Sequence, residues 1–151
     1  MQVKLIDSLD RLRWYGRGPH ESYRDRKLSA FLGVYSETVS KPSHMYIKPQ
    51  EYGNKEDVRW FTLTDAGGFG IKVTAVKPLS ISAWPWSMED LDLAGHRHEL
   101  PERDFVTLNI DHMQMGVGGD NSWGHKVRPQ YSIPSGKSYD YSFVISPEPT
   151  L

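Results

Sequence analysis

At 151 residues the chain has the size of one domain and is long enough to bury a core. Hydrophobic residues make up 38% and charged residues 25%, which excludes a disordered chain, and a net charge of −1 gives nucleic acid or an anionic membrane no electrostatic reason to bind. The absence of cysteine excludes a disulfide framework and a thiolate metal site.

Taken in order, Met1 to Asp7 lacks the apolar run of a signal peptide, and no apolar stretch approaches membrane-spanning length. The composition suits cytoplasm and periplasm equally. Trp14-Tyr15-Gly16 reads as a short strand, closed by turn residues from Gly16 to Pro19. A second turn cluster covers Pro49 to Asn54. Arg59 to Thr64 and Ile71 to Val76 are aromatic and β-branched, and Asp65 to Gly70 between them supplies hairpin turn chemistry. Leu79 to Trp84 adds a shorter strand.

One stretch reads as a helix. Ser87 stands as N-cap with Asp90 three residues on, Leu91 to Ala94 follow, and Gly95 stops it. Phe105 to His112 then alternates, with Val106, Leu108 and Ile110 on one face; Tyr139, Tyr141, Phe143 and Ile145 repeat the pattern near the end. This pattern predicts one antiparallel all-β domain over 1–151, a β-sandwich with one short helix.

Several motifs fail on inspection. His96-Arg97-His98 would share a face only in a strand, and nothing marks the further ligands that zinc needs, so no metal site is assigned. The run from Asp90 to Gly95 has Ala94 where a calcium loop needs an oxygen ligand and Pro101 where it needs a bidentate Glu. Gly116-Val117-Gly118-Gly119 continues into Asp120, whose charge repels phosphate, and no Lys-Ser/Thr or helix follows. Glycoside hydrolysis needs two carboxylates across the scissile bond; none of the nineteen acids reads as lying in an apolar context, and no catalytic residue is assigned.

Trp123 stands apart. It lies in a loop between Gly119 and Gly124, a poor place for a core indole, and its flat face with one N–H donor suits the C–H face of a sugar. The alternative is a tryptophan that anchors the loop. Asp120, Asn121 and Ser122 are expected to close local hydrogen bonds to the loop backbone. Trp14, Trp60, Trp84 and Trp86 lie in or beside strands and read as core.

The segment Trp14-Tyr15-Gly16-Arg17-Gly18-Pro19-His20-Glu21-Ser22-Tyr23-Arg24-Asp25-Arg26 resembles the small-chain domain of bacterial β-galactosidases, glycoside hydrolase family 2. Matches follow in the same order at Pro49 to Lys55, Asp57-Val58-Arg59-Trp60, Ser82-Ala83, His96 to Leu100, and Asp111 to Gly124. The resemblance runs from Leu12 to Pro147, with Tyr52 and Lys55 as departures.

It implies the C-terminal half of a galactose-mutarotase-like supersandwich, lying last in a multidomain retaining β-galactosidase. It also implies that the catalytic glutamates, the magnesium and sodium ligands and most galactose contacts belong to domains outside this chain. Carried onto this sequence, the family's aromatic substrate contact is Trp123. The implied partners are the galactoside and the remaining domains of the parent, with self-association expected where those domains are missing. The opening Met1-Gln2, joined directly to a strand, reads as a boundary inside a longer protein. A free-standing carbohydrate-binding module and a purely structural or oligomerising β-sandwich are the alternatives.

Overall fold

The computed structural model describes residues 1–41, 44, 46–121 and 123–149. Its strands are β1 (Gln2–Ile6), β2 (Arg11–Gly18), β3 (Phe31–Thr38), β4 (Lys55–Thr64), β5 (Gly70–Trp84), β6 (Phe105–Asp111) and β7 (Phe143–Glu148), with one helix, α1 (Met88–Leu93). All pairings are antiparallel, in the order β1-β6-β5-β4-β2-β3, with β7 also on β5. This is the expected all-β class.

Alternation explains which face β2 buries. In β2, Leu12 and Trp14 point inward while Arg11 and Arg13 face solvent. Leu63 on β4 and Leu108 and Ile110 on β6 join them in a single buried cluster, with no exposed surface of their own. One six-residue helix cannot cover seven strands. The halves of the sheet therefore cover each other, as in a sandwich.

The bend that permits this lies in β4 and β5. Their register slips between Val58↔Leu79 and Trp60↔Thr74, and the irregular part of β5 contains Pro78, which has no N–H for a ladder. On β4, Asp57 adopts a left-handed conformation, φ 55°. Its carboxylate accepts from Arg17 at 2.6 Å and Lys27 at 3.1 Å, and its carbonyl accepts from Arg59 at 2.6 Å. These bonds hold a backbone shape that a non-glycine residue rarely adopts alone.

A smaller cluster of Tyr52, Trp84 and Leu91 packs under α1, whose capping box forms between Ser87 and Asp90 as expected. The Arg103 guanidinium grips the Asp90 carboxylate at 2.5 Å and holds it well below the usual carboxylate range.

The structure also differs from the pattern reading in places. Ile71 to Val76 and Leu79 to Trp84 are parts of one long strand, and β1 and β3 are additional. Tyr139 and Tyr141 lie outside any strand. The Val76 N–H donates to the Ser142 carbonyl at 3.2 Å, β7 pairing starts at Ala75↔Phe143, and the chain before it finds no regular strand edge. The two tyrosines are tied down by their hydroxyls instead, to the carbonyls of Pro134 and Ile110.

Candidate functional site

Between β6 and β7 the chain forms a long arm with one 3-10 turn, Pro129–Tyr131. Its outer part, from Gly116 to Arg128, is cinched at several levels. At the base, Gly116 N–H donates to the Tyr131 carbonyl at 2.9 Å. Higher up, the Arg128 guanidinium donates twice to Asp120 Oδ1, at 2.8 and 3.0 Å. At the tip, Asn121 Oδ1 accepts the Trp123 N–H at 2.9 Å. Gly124 turns the chain with φ 98°, a conformation that side chains resist. Trp123 stands on this tip with 91% of its surface exposed.

Of the local bonds expected from Asp120, Asn121 and Ser122, that of Asn121 forms. Asp120 instead pairs across the loop, and Ser122 lies outside the described residues. Gly116 is required by close approach: a Cβ there would collide with the Asp25 carboxylate and Tyr131 Cβ.

Asp25 and Arg24 come from far away in sequence. Tyr23 and Arg26 exchange two backbone hydrogen bonds, at 3.1 and 2.8 Å, so the residues between them form the tip of a tight turn. Asp25 Oδ1 accepts Val117 N–H at 3.1 Å, and Oδ2 accepts Gly118 N–H at 2.8 Å. Arg24 donates to the Ser132 carbonyl at 3.4 Å and the Gln130 carbonyl at 3.3 Å on the opposite limb. Sequence analysis placed these residues only within the segment Trp14 to Arg26 that carries the family resemblance.

Two carboxylates behind the turn are withdrawn from water, although only Glu56 is shifted upward by it. Glu21 and Glu56 are both buried, because β4 and the segment after β2 fold inward around Asn54. Burial pushes Glu21 up, but hydrogen bonds from Tyr46 and the Gly53 N–H and the charge of Arg26 outweigh it, and the net shift is downward. Glu56 goes the other way. Burial raises it, against the opposing hydrogen bond from Ser80, the charge of Lys27 and the hydrogen bond from Asn54.

A native pKa above the unfolded one means that Glu56 stabilises the fold fully below the unfolded value, and that the contribution fades as pH rises through the native one. Glu56→Gln keeps an acceptor for Ser80 and is expected to flatten the fall of melting temperature with rising pH. Thermal melts from about pH 4 to about pH 9 check this.

His96 and His98 do not lie in a strand. His96 is the N-cap of a 3-10 turn, Arg97–Glu99, and His98 lies within it; their rings stack at 5.5 Å, and His96 pairs with Glu99 at 3.2 Å. Among the described residues no three His, Asp or Glu side chains gather as a metal site. Trp14 and Trp84 are core, whereas Trp60 and Trp86 are half-buried. Trp60 lies on the outer face beside Tyr15, with Arg13 and Lys72 over its ring.

A cavity of about 280 Å³ lies beside Glu21, lined also by Arg26, His44, Tyr52 and Trp84. A second, of about 360 Å³, separates Tyr52, Asn54 and Trp84 from the arm at Met115 to Val117. Trp123 lines neither.

The family described as Beta galactosidase small chain matches residues 1–145. Beta-galactosidase of Priestia megaterium is 41% identical over 147 residues, covering 97% of this chain and 14% of that protein. The Streptococcus thermophilus beta-galactosidase is 42% identical over 148 residues, with the same coverage of each chain. Beta-galactosidase BgaC of Bifidobacterium adolescentis is 45% identical over 127 residues, 82% of this chain and 12% of that protein. The chain thus spans about a seventh of the length of the relatives it matches.

Proposed function

Because this chain belongs to the β-galactosidase small-chain family, we propose that it is the non-catalytic segment of a retaining β-galactosidase and completes the galactoside cleft with Trp123. The observation that carries this reading is the indole itself, 91% exposed at the tip of a loop that is otherwise tied down. A large apolar side chain held in water forgoes the stabilisation of burial, and a preorganised loop offers it to a ligand at little cost in conformational entropy. The C–H face of a sugar is a fitting partner.

Bond cleavage needs a second set of groups, two carboxylates facing each other across the glycosidic bond. Glu21 is engaged by Tyr46, Arg26 and Gly53, and Glu56 by Ser80 and Asn54, so neither carboxylate is free to face a sugar. Under this reading the chemistry belongs to other domains of the parent, which together with the galactoside are the chain's partners. Under the same reading the magnesium and sodium belong there as well. The isolated chain is expected not to turn over a chromogenic galactoside.

Trp123→Ala in the intact enzyme tests the assignment. Stacking on a sugar in the ground state predicts a higher KM with kcat little changed. The loss is on the order of 1–3 kcal/mol, taking base–aromatic stacking as the analogue. Trp123→Phe should keep part of the effect. A variant with unchanged KM and kcat but a melting temperature many degrees lower would make Trp123 a loop anchor instead.

A further inference from the structure

We propose that Asp25 is the positioning residue for Trp123: its carboxylate grips one limb of the arm and fixes where the indole stands. This inference rests on the reading of Trp123 as the sugar contact. Asp25 donates nothing and accepts two successive backbone N–H groups, one on each oxygen, from Val117 at 3.1 Å and Gly118 at 2.8 Å. A carboxylate accepting from backbone N–H forms charge-assisted bonds, stronger than neutral ones and fixed in direction by its plane. The absence of a side chain at Gly116 lets the backbone come this close.

The neighbouring Arg24 holds the opposite limb through the carbonyls of Gln130 and Ser132. One dipeptide therefore spans both limbs of the loop that carries Trp123. The turn presenting it is itself fixed, by the Tyr23–Arg26 backbone pair and by the Arg26–Glu21 ion pair at 2.9 Å. The arm buries little apolar surface of its own, since most of its residues from Gly118 to Tyr141 are exposed. A segment with few apolar contacts opens readily unless hydrogen bonds restrain it. Asp25 supplies that restraint where the arm leaves the body of the domain.

The test uses the intact enzyme and two readouts. In Asp25→Ala, hydrogen exchange of the peptide covering Val117 and Gly118 should speed up about tenfold or more, the equivalent of one lost charge-assisted bond. Exchange in β4 and β6 should stay as it was. KM for a galactoside should rise about three- to tenfold while kcat stays within about twofold. Combined with Trp123→Ala it should add nothing further, because both changes remove one interaction. Asp25→Asn keeps one acceptor oxygen and should fall between wild type and Asp25→Ala; it also serves if Asp25→Ala does not fold.

Unchanged exchange at Val117 and Gly118 overturns the proposal. Faster exchange with an unchanged KM, in an enzyme whose KM does respond to Trp123→Ala, overturns it as well, since the indole then keeps its place without Asp25. If Trp123→Ala itself leaves KM alone, the reading of Trp123 as sugar contact fails, while the exchange result still decides whether Asp25 restrains the arm.

Discussion

Trp14→Ala is expected to lower folding stability by about 3–5 kcal/mol, the range for removing a large aromatic side chain from a core. Trp14 is fully buried and sits between Tyr35 on β3 and Phe61 on β4 in the paired register. Its ring lies 5.7 Å from that of Tyr35, and its indole N–H donates to the Arg17 carbonyl at 2.9 Å. Three consequences follow from its loss. The core keeps a cavity because flanking strands cannot close in without breaking their ladders. The Arg17 carbonyl loses its donor. The Lys55 ammonium, 4.8 Å from the ring centroid, loses an aromatic face. Equilibrium urea unfolding measures the sum, and a change below about 1 kcal/mol would mean that β2 and β4 repack around the gap.

Glu37→Ala is the second large effect, expected to cost about 3–5 kcal/mol, because it strands a buried cation. Lys55 is only 1% exposed, and the one hydrogen-bonding partner of its ammonium among the described residues is Glu37 Oε2 at 3.2 Å. Glu37 keeps some access to water, which places the loss toward the lower end of that range. Lys55→Met should behave differently. It keeps the apolar stem against Trp14 and removes the charge that needs a partner, so its cost should be small or negative. The double variant Glu37→Ala/Lys55→Met should therefore recover most of what Glu37→Ala alone loses. Urea midpoints of the four proteins settle the comparison; equal losses from both single changes with no recovery in the double would show that the pair acts through packing and not charge.

The sequence was legible where local chemistry decides. Asp65 closes the β4–β5 hairpin by accepting from Gly67 and Phe69, as its turn residues suggest, and Ser87 and Asp90 build the predicted cap. Leu108 and Ile110 lie in the core on the face that alternation gives them, although Thr107 and Asn109 on the opposite face are buried as well. The arm was legible only at its tip, where Asn121 and Gly124 act on near neighbours. Its base was not, since Asp25 and Gly118 are 93 residues apart and no spacing rule connects them.

Composition and period thus determined an antiparallel all-β domain, the inward face of its strands, one capped helix and an indole out of place in a loop. These depend on forces acting within a few residues, and a two-residue period survives whatever surrounds it. Tertiary structure alone decided that Glu56 and Lys55 lie in the core, that Tyr139 and Tyr141 pair with no strand, and that Asp25 holds the arm. Burial of a charge, the availability of a strand edge and the meeting of a carboxylate with distant N–H groups are properties of what folds alongside. The hydrophobic drive that closes the sheet carries such groups with it, and only the partners found on arrival, Glu37 for Lys55 and Ser80 for Glu56, make those positions tenable.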